Sequence, residues 1–180
     1  MVFVETKLKG AYIIEPERLE DHRGFFARTF CREEFMAHDL DFPVVQCSVS
    51  ANRKKGTVRG LHYQISPYQE AKLVRCTNGA VYDVIVDLRP ESVTLNQWVA
   101  TALTAENRRM LFIPESLAHG FQTLQDNTEV FYQMSELYHP ECARGVRWSD
   151  KAFGISWPLE GITISERDRA WPLVDGALNR

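Results

Sequence analysis

The dipeptide Asn78-Gly79 and the two β-type runs around it constrain this chain most. The runs are K-L-V-R-C from Lys72 to Cys76 and A-V-Y-D-V-I-V-D-L-R from Ala80 to Arg89. An Asn-Gly pair between two such runs is a strong local hairpin signal, because it accepts the positive φ angles of a tight turn. The second run alternates. Val81, Asp83, Ile85 and Asp87 share one face, and Tyr82, Val84, Val86 and Leu88 the other. Acids interleaved with β-branched residues suit the wall of a cavity better than an ordinary two-sided strand. Arg59 and His62 lie just upstream in R-G-L-H-Y-Q, so a cation and a titratable base are expected in one pocket with Lys72.

The rest of the chain reads as more short strands. They are expected at Gly10–Ile14, from Gly24, and over Val44–Val49, Trp98–Leu103, Met110–Ile113, His119–Leu124, Glu129–Met134 and Gly145–Trp148. Gly, Pro and Asn punctuate them at near-regular spacing, the signature of an all-β sandwich or barrel. Glu17–Arg23 reads as a polar loop and Asn52–Gly56 as a basic turn. The convincing helix is Cys31–Leu40, and the stretch after Trp157 reads as loops and short helical turns. At 180 residues with no linker, the expectation is a single domain over 1–180. A formal net charge of −3 gives neither a nucleic-acid footprint nor a polybasic membrane patch. No segment has the apolar length of a transmembrane span. The four scattered cysteines form no CxxC pair and the N-terminus lacks a signal-peptide core, so a cytoplasmic protein with reduced thiols is expected.

Two spacings resemble the cupin motifs. Gly56, His62, Gln64, Glu70 and Gly79 resemble the first, and Pro114, Ser116 and His119 the second. The resemblance implies a jelly-roll barrel with peripheral short helices and a pocket in its mouth. Metal-binding cupins place a second histidine where this chain has Gln64, which leaves a poor transition-metal set, so no metal and no cofactor are expected. The finer match runs from Gly10 to Pro172. D-H-R-G-F-F at Asp21, R-G-L-H-Y-Q at Arg59, K-L-V-R at Lys72, D-V-I-V-D-L-R at Asp83, I-P-E-S-L-A-H-G-F at Ile113 and I-S-E-R-D at Ile164 resemble the dTDP-4-dehydrorhamnose 3,5-epimerases.

That resemblance implies proton abstraction beside the C4 ketone of a nucleotide-diphosphate 4-keto-6-deoxysugar and reprotonation on the opposite face. This chemistry needs a base, an acid and positive charge at the ketone oxygen. By resemblance His62 is the base, Asp168 its carboxylate partner, Tyr132 the proton donor and Lys72 the cation near the enolate oxygen. Arg23, Arg59 and Arg167 match diphosphate positions, and Gln46 and His119 match polar pocket positions. Phe26 and Tyr138 match the aromatics that sandwich the base, with one side of the pocket supplied by a second subunit, hence a homodimer. Three positions depart from the thymidine-using pattern: Arg28 and Ala143 replace glutamates, and Ser48 replaces an asparagine. Arg28 has donors and no acceptor, which keeps a CDP-linked substrate open beside a dTDP-linked one. Epimerisation at C3 or C5 alone, a keto-group isomerase and a non-catalytic sugar-nucleotide binder are the other readings.

Overall fold

The computed structural model describes residues 1–177. Its first strands are β1 (Val2–Glu5), β2 (Tyr12–Glu15), β3 (Arg18–Asp21) and β4 (Gly24–Ala27), followed by helix α1 (Arg32–Met36). The middle of the chain forms β5 (Gln46–Asn52), β6 (Val58–Gln64), β7 (Lys72–Asn78), β8 (Ala80–Asp87), β9 (Trp98–Thr104) and β10 (Met110–Ile113). Then come β11 (Leu117–Thr123), β12 (Thr128–Met134), β13 (Ala143–Gly145) and the short helices α2 (Glu166–Arg169) and α3 (Val174–Ala177). The strands assemble into two antiparallel sheets of a jelly roll. One has the order β1-β2-β10-β7-β12-β5 and the other β13-β6-β11-β8-β9, while β3 and β4 form a separate arm.

Between the sheets, Val74, Cys76, Val81, Ile85, Leu111, Phe121 and Val130 form one dry core. Both outer faces are also covered. Leu61, Val84, Val86 and Ala118 pack under the C-terminal segment at Phe153 and Val174. Ile14, Leu73, Met110 and Phe112 pack under Phe35 of α1 and Phe42. Sheets covered on both faces lose the simple alternation of apolar and polar residues, and β11 is buried at every position. Each fully buried Leu, Ile or Phe contributes about 1.5–3 kcal/mol, so these clusters hold the frame of the cavity rigid.

The Asn78-Gly79 turn does not close a hairpin. β7 pairs with β10 and β12, whereas β8 pairs with β11 and β9. Gly79, at φ +74°, carries the chain from one sheet to the other, and a Cβ there would lie 2.5 Å from Thr128 Oγ1. A sheet-switching corner needs the same left-handed backbone as a hairpin turn, so the local signal is shared and only the strand partners separate the two.

Other boundaries move. The helix spans Arg32–Met36, with Cys31 at its N-cap making no side-chain cap bond. Glu17–Arg23 contains β3, paired with β4. β5 runs later than Val44–Val49, β13 precedes Gly145–Trp148, and β1 had no counterpart in the sequence reading.

Candidate active site

A cavity of 490 Å³ opens between the two sheets at one end of the jelly roll. Inward positions of β7 and β12 are apolar deep in the sandwich and polar toward this end. Thus Cys76 and Val74 give way to Lys72, and Val130 gives way to Tyr132.

On the opposite sheet, β6 supplies both Arg59 and His62, three residues apart. Simple alternation would send these to opposite faces. A β-bulge resolves the conflict: His119 pairs with His62 but Phe121 with Arg59, so Gly60 and Leu61 of β6 oppose the single residue Gly120 of β11. Gly60 sits in the bulge at φ +121°, and a Cβ there would lie 2.6 Å from Gly120 Cα. The extra residue restores Arg59 to the cavity side and turns Leu61 into the outer core.

His62 Nε2 lies 2.6 Å from Asp168 Oδ1. Asp168 belongs to α2, whose N-cap Ser165 accepts from Asp168 N–H at 3.1 Å. This segment is fastened across β6 at three points. Thr163 exchanges backbone bonds with Gly56 and Val58, Trp171 lies against Gly145 of β13, and Arg147 donates to Trp171 O. Burial alone would raise the Asp168 carboxyl, yet the bond and charge of His62, with donors from Gly60 N and Trp171 Nε1, hold it below its ordinary value. An ionised acceptor on Nε2 places the imidazole proton there and leaves Nδ1 as the basic atom. The His62 side chain is 42% exposed, so that base is reachable from the cavity.

A second histidine–carboxylate pair stands beside it. His119, the cross-strand partner of His62, meets Asp83 with Nε2 2.9 and 3.0 Å from the two carboxylate oxygens. Only 4% of its side chain is exposed. The ring of Tyr132 packs edge-on against His119, with centroids 5.9 Å apart. Tyr132 comes from the other sheet, and its hydroxyl has no hydrogen-bond partner among the described residues while it lines the cavity. Burial chiefly, and next the Asp83 charge, push its phenol well above the ordinary value, with Arg59 opposing.

Lys72 Nζ is 2.8 Å from Glu70 Oε1. Arg59 is aimed by a 2.8 Å bond from Nε to Asn52 Oδ1, and Asn52 is itself tied to Thr128 O. Arg167 lies over the Trp171 ring, 5.3 Å from its centroid. Gln46, Ser48 and Tyr138 line the rim, where Tyr138 N–H donates to Gln46 Oε1. Gln64 is fully engaged, donating to Tyr68 O and Leu137 O and accepting from His139 N–H. Both N–H donors and one lone pair of its amide are thus committed to neighbouring backbone.

The structure brings ten of the expected residues to one cavity: His62, Lys72, Tyr132, Asp168, Gln46, Ser48, Arg59, His119, Tyr138 and Arg167. It leaves Arg23, Phe26 and Arg28 outside. All three lie on or beside the exposed β3–β4 arm. Arg23 is paired with Asp21, Arg28 with Glu34 at 2.7 Å, and Phe26 is 72% exposed. Asp87 is corrected as well. It is not cavity wall but anchors the β8–β9 loop through Arg89, Ser92 and Thr94. Arg144 lines the cavity without having been singled out, because a three-residue edge strand has too little pattern to place it. Glu70 was visible only as a motif position.

Comparison with known proteins fits this geometry. Residues 5–175 match the profile of the dTDP-4-dehydrorhamnose 3,5-epimerases. The enzyme of that name from Methanothermobacter thermautotrophicus is 46% identical over 172 residues, covering 94% of this chain and 92% of the relative. The Bacillus anthracis enzyme, solved with TDP and PPi bound, superposes with a TM-score of 0.93 at 40% identity, covering 96% of this chain and 98% of that one. The Legionella pneumophila enzyme in complex with dTDP-4-keto-L-rhamnose gives 0.91 at 36% identity, covering 97% and 93%. The cupin jelly roll and its two-sheet cavity thus belong to an isomerase, and the chain is a member of the dTDP-4-dehydrorhamnose 3,5-epimerase family.

Proposed function

We propose that this chain epimerises a dTDP-linked 4-keto-6-deoxyhexose at C3 and C5. The observation that carries the reading is the placement of His62 and Tyr132 on opposite sheets of one cavity, with His62 backed by Asp168. A sugar ring held between the sheets presents one face to each. His62 Nδ1 takes the proton from the carbon beside the ketone, and the Nε2–H bond to Asp168 stabilises the imidazolium that forms. Lys72 meets the negative charge that develops on the ketone oxygen. Tyr132 returns a proton to the other face. Its raised pKa keeps it a phenol at neutral pH, and an enolate carbon is basic enough to take the proton. Proton exchange with solvent then resets both groups.

Arg59 and Arg167 flank the diphosphate in this reading, since guanidinium forks suit phosphate oxygens. Gln46, Ser48 and Tyr138 face the nucleoside, and His119 donates from the cavity wall. Gln64, a neutral amide tied to neighbouring backbone where metal-binding cupins carry a histidine, supports chemistry without a metal, so dialysis against a strong chelator should leave activity unchanged.

A homodimer completes the site. Along β5, Gln46, Ser48 and Ser50 are half-buried and line the cavity, while Cys47, Val49 and Ala51 alternate with them as exposed positions, Val49 57% exposed at the cavity edge. Leu19 and Phe26 on the arm are each 72% exposed. An edge strand with its apolar face outward is covered economically by a second copy. That copy would offer Phe26 and Arg23 to the nucleotide across the interface.

The test is incubation with dTDP-4-keto-6-deoxyglucose in D2O. Deuterium at C3 and C5 with inversion is the expected result. Label at one carbon only would restrict the reaction to a single epimerisation. A shifted carbonyl would identify a ketoisomerase, and no label at all would leave a binding protein.

A further inference from the structure

We infer that Glu70 is a positioning residue for the reaction, holding the Lys72 ammonium at the ketone end of the cavity. The inference rests on the epimerase reading above. Both side chains line the cavity and both are nearly buried, 10% exposed for Glu70 and 9% for Lys72. Their charged atoms are 2.8 Å apart. Ala71 between them is clamped to the end of β12: its N–H donates to Ser135 Oγ at 2.8 Å, and its carbonyl accepts from Ser135 N–H at 3.0 Å. The backbone that launches the two side chains is therefore fixed, and their meeting is built in.

Two physical arguments say what the pair does. A lysine side chain is long and mobile, and at the mouth of a cavity it extends toward water unless something holds it. Among the described residues, the other acceptor near Lys72 Nζ is His62 O at 3.5 Å, too long to fix it. Glu70 is then the restraint. The second argument concerns the substrate. Its diphosphate is a stronger magnet for a free ammonium than a neutral ketone oxygen. A carboxylate beside Lys72 offsets that pull and keeps the cation where charge develops only during reaction. Conversely, a buried carboxylate in a site for an anionic ligand is unfavourable on its own, so its presence is explained by the cation it holds.

If Glu70 acts through Lys72, its removal should affect the chemical step more than binding. The experiment compares wild type, Glu70→Gln, Lys72→Met and the double variant in kcat and KM for exchange and inversion of dTDP-4-keto-6-deoxyglucose. Binding of dTDP is measured alongside. Glu70→Gln should lower kcat about tenfold or more, a fraction of what loss of an oxyanion donor costs, with KM and dTDP affinity within about threefold of wild type. In the Lys72→Met background the same change should have almost no further effect on kcat. Glu70→Asp, which keeps the charge but sets it one methylene back, gives a second reading should Glu70→Gln fold poorly; a loss of kcat at unchanged KM is expected there too. Unchanged kcat in the folded Glu70 variants overturns the inference. So does an equal further loss in the Lys72→Met background, which would make Glu70 act independently. Failure of the wild-type protein to exchange label would overturn the epimerase reading itself, a separate outcome.

Discussion

Two histidine–carboxylate pairs stand side by side on neighbouring strands, and they differ in everything except their chemistry. His62 is open to the cavity and takes its carboxylate from a short helix late in the chain. His119 is sealed in the wall and takes its carboxylate from the next strand, with both oxygens of Asp83 on one nitrogen. A proton can pass between His62 and a ligand. His119 reaches the cavity only at the wall, with 4% of its side chain exposed, and packs edge-on against Tyr132. Under the proposed function, the difference in solvent access is what makes His62 the base and His119 a donor held in the wall.

The sharpest way to break this contrast is to neutralise each carboxylate in turn. His62→Ala should abolish measurable exchange. Asp168→Asn should lower kcat by about 10²–10⁴-fold, as for positioned acid–base groups, with a native circular dichroism spectrum. Asp83→Asn should do the reverse, costing about 1–3 kcal/mol of stability and lowering the melting temperature, while kcat falls less than about tenfold. Equal losses of kcat in the Asp83 and Asp168 variants would show that both pairs handle protons.

The two carboxylates were also unequally legible. Asp83 could be placed on an inward face by counting along β8, because a strand repeats every two residues. Asp168 sits in a loop and a single helical turn, where no period exists, and only resemblance to the family marked it. Counting was not safe even within strands. Arg59 and His62 share the cavity because of the bulge at Gly60, which shifts parity without any consistent local signature. Asp87, in phase with Asp83, anchors a loop instead. The Asn78-Gly79 corner reads as a hairpin because turn chemistry does not encode which strands will pair. An all-β sandwich or barrel was readable from strand spacing, whereas the jelly roll and the central residues were marked by resemblance to the family. The arm was read as a loop followed by a strand, and its position outside the cavity depends on contacts that a single chain's pattern does not contain.

Tyr132 joins the two pairs, since it packs on His119 and faces His62 across the cavity. Tyr132→Phe should leave His62 able to remove and return a proton on its own side. Label washout with retention should persist, while inversion falls by about a hundredfold, at the low end for a general acid. If both fell together, Tyr132 would be shaping the wall and not donating a proton.

A smaller effect separates the pairs by pH. The Asp168 carboxyl is held below its ordinary value in the folded protein. A depressed carboxylate contributes stability that is present above the unfolded pKa of about 3.9 and lost as pH falls through the folded value. Wild type should therefore exceed Asp168→Asn in stability near neutral pH by a constant margin. That margin should shrink once the pH drops below about 4. Denaturant titrations of both proteins between neutral and strongly acidic pH would measure it, and a margin that persists in acid would detach the stability from ionisation.

The smallest effect belongs to a carboxylate–cation pair near the surface, Arg28 being 61% and Glu34 29% exposed. Arg28 is bonded to Glu34, which also accepts the N-terminal amino group at 2.7 Å. Its position departs from the thymidine-using pattern, and a guanidinium there would suit the acceptor edge of cytosine better than thymine. Yet the bond to Glu34 ties Arg28 to α1 of its own chain, just past the end of β4. Exposed pairs of this kind are worth about 0–1 kcal/mol, so Arg28→Glu, which also sets a second carboxylate beside Glu34, should destabilise by about 1 kcal/mol. It should also change the ratio of dTDP to CDP affinity by less than about threefold, which is 0.65 kcal/mol or so by the relation of affinity to free energy. That outcome would leave recognition of the base to the rim, where Ser48 and Ala143 line the cavity. An unmodified protein that bound CDP at least tenfold more tightly than dTDP, with Arg28→Glu reversing the order, would instead make Arg28 the reader of the base. It would also require the Glu34 bond to break when the nucleotide binds.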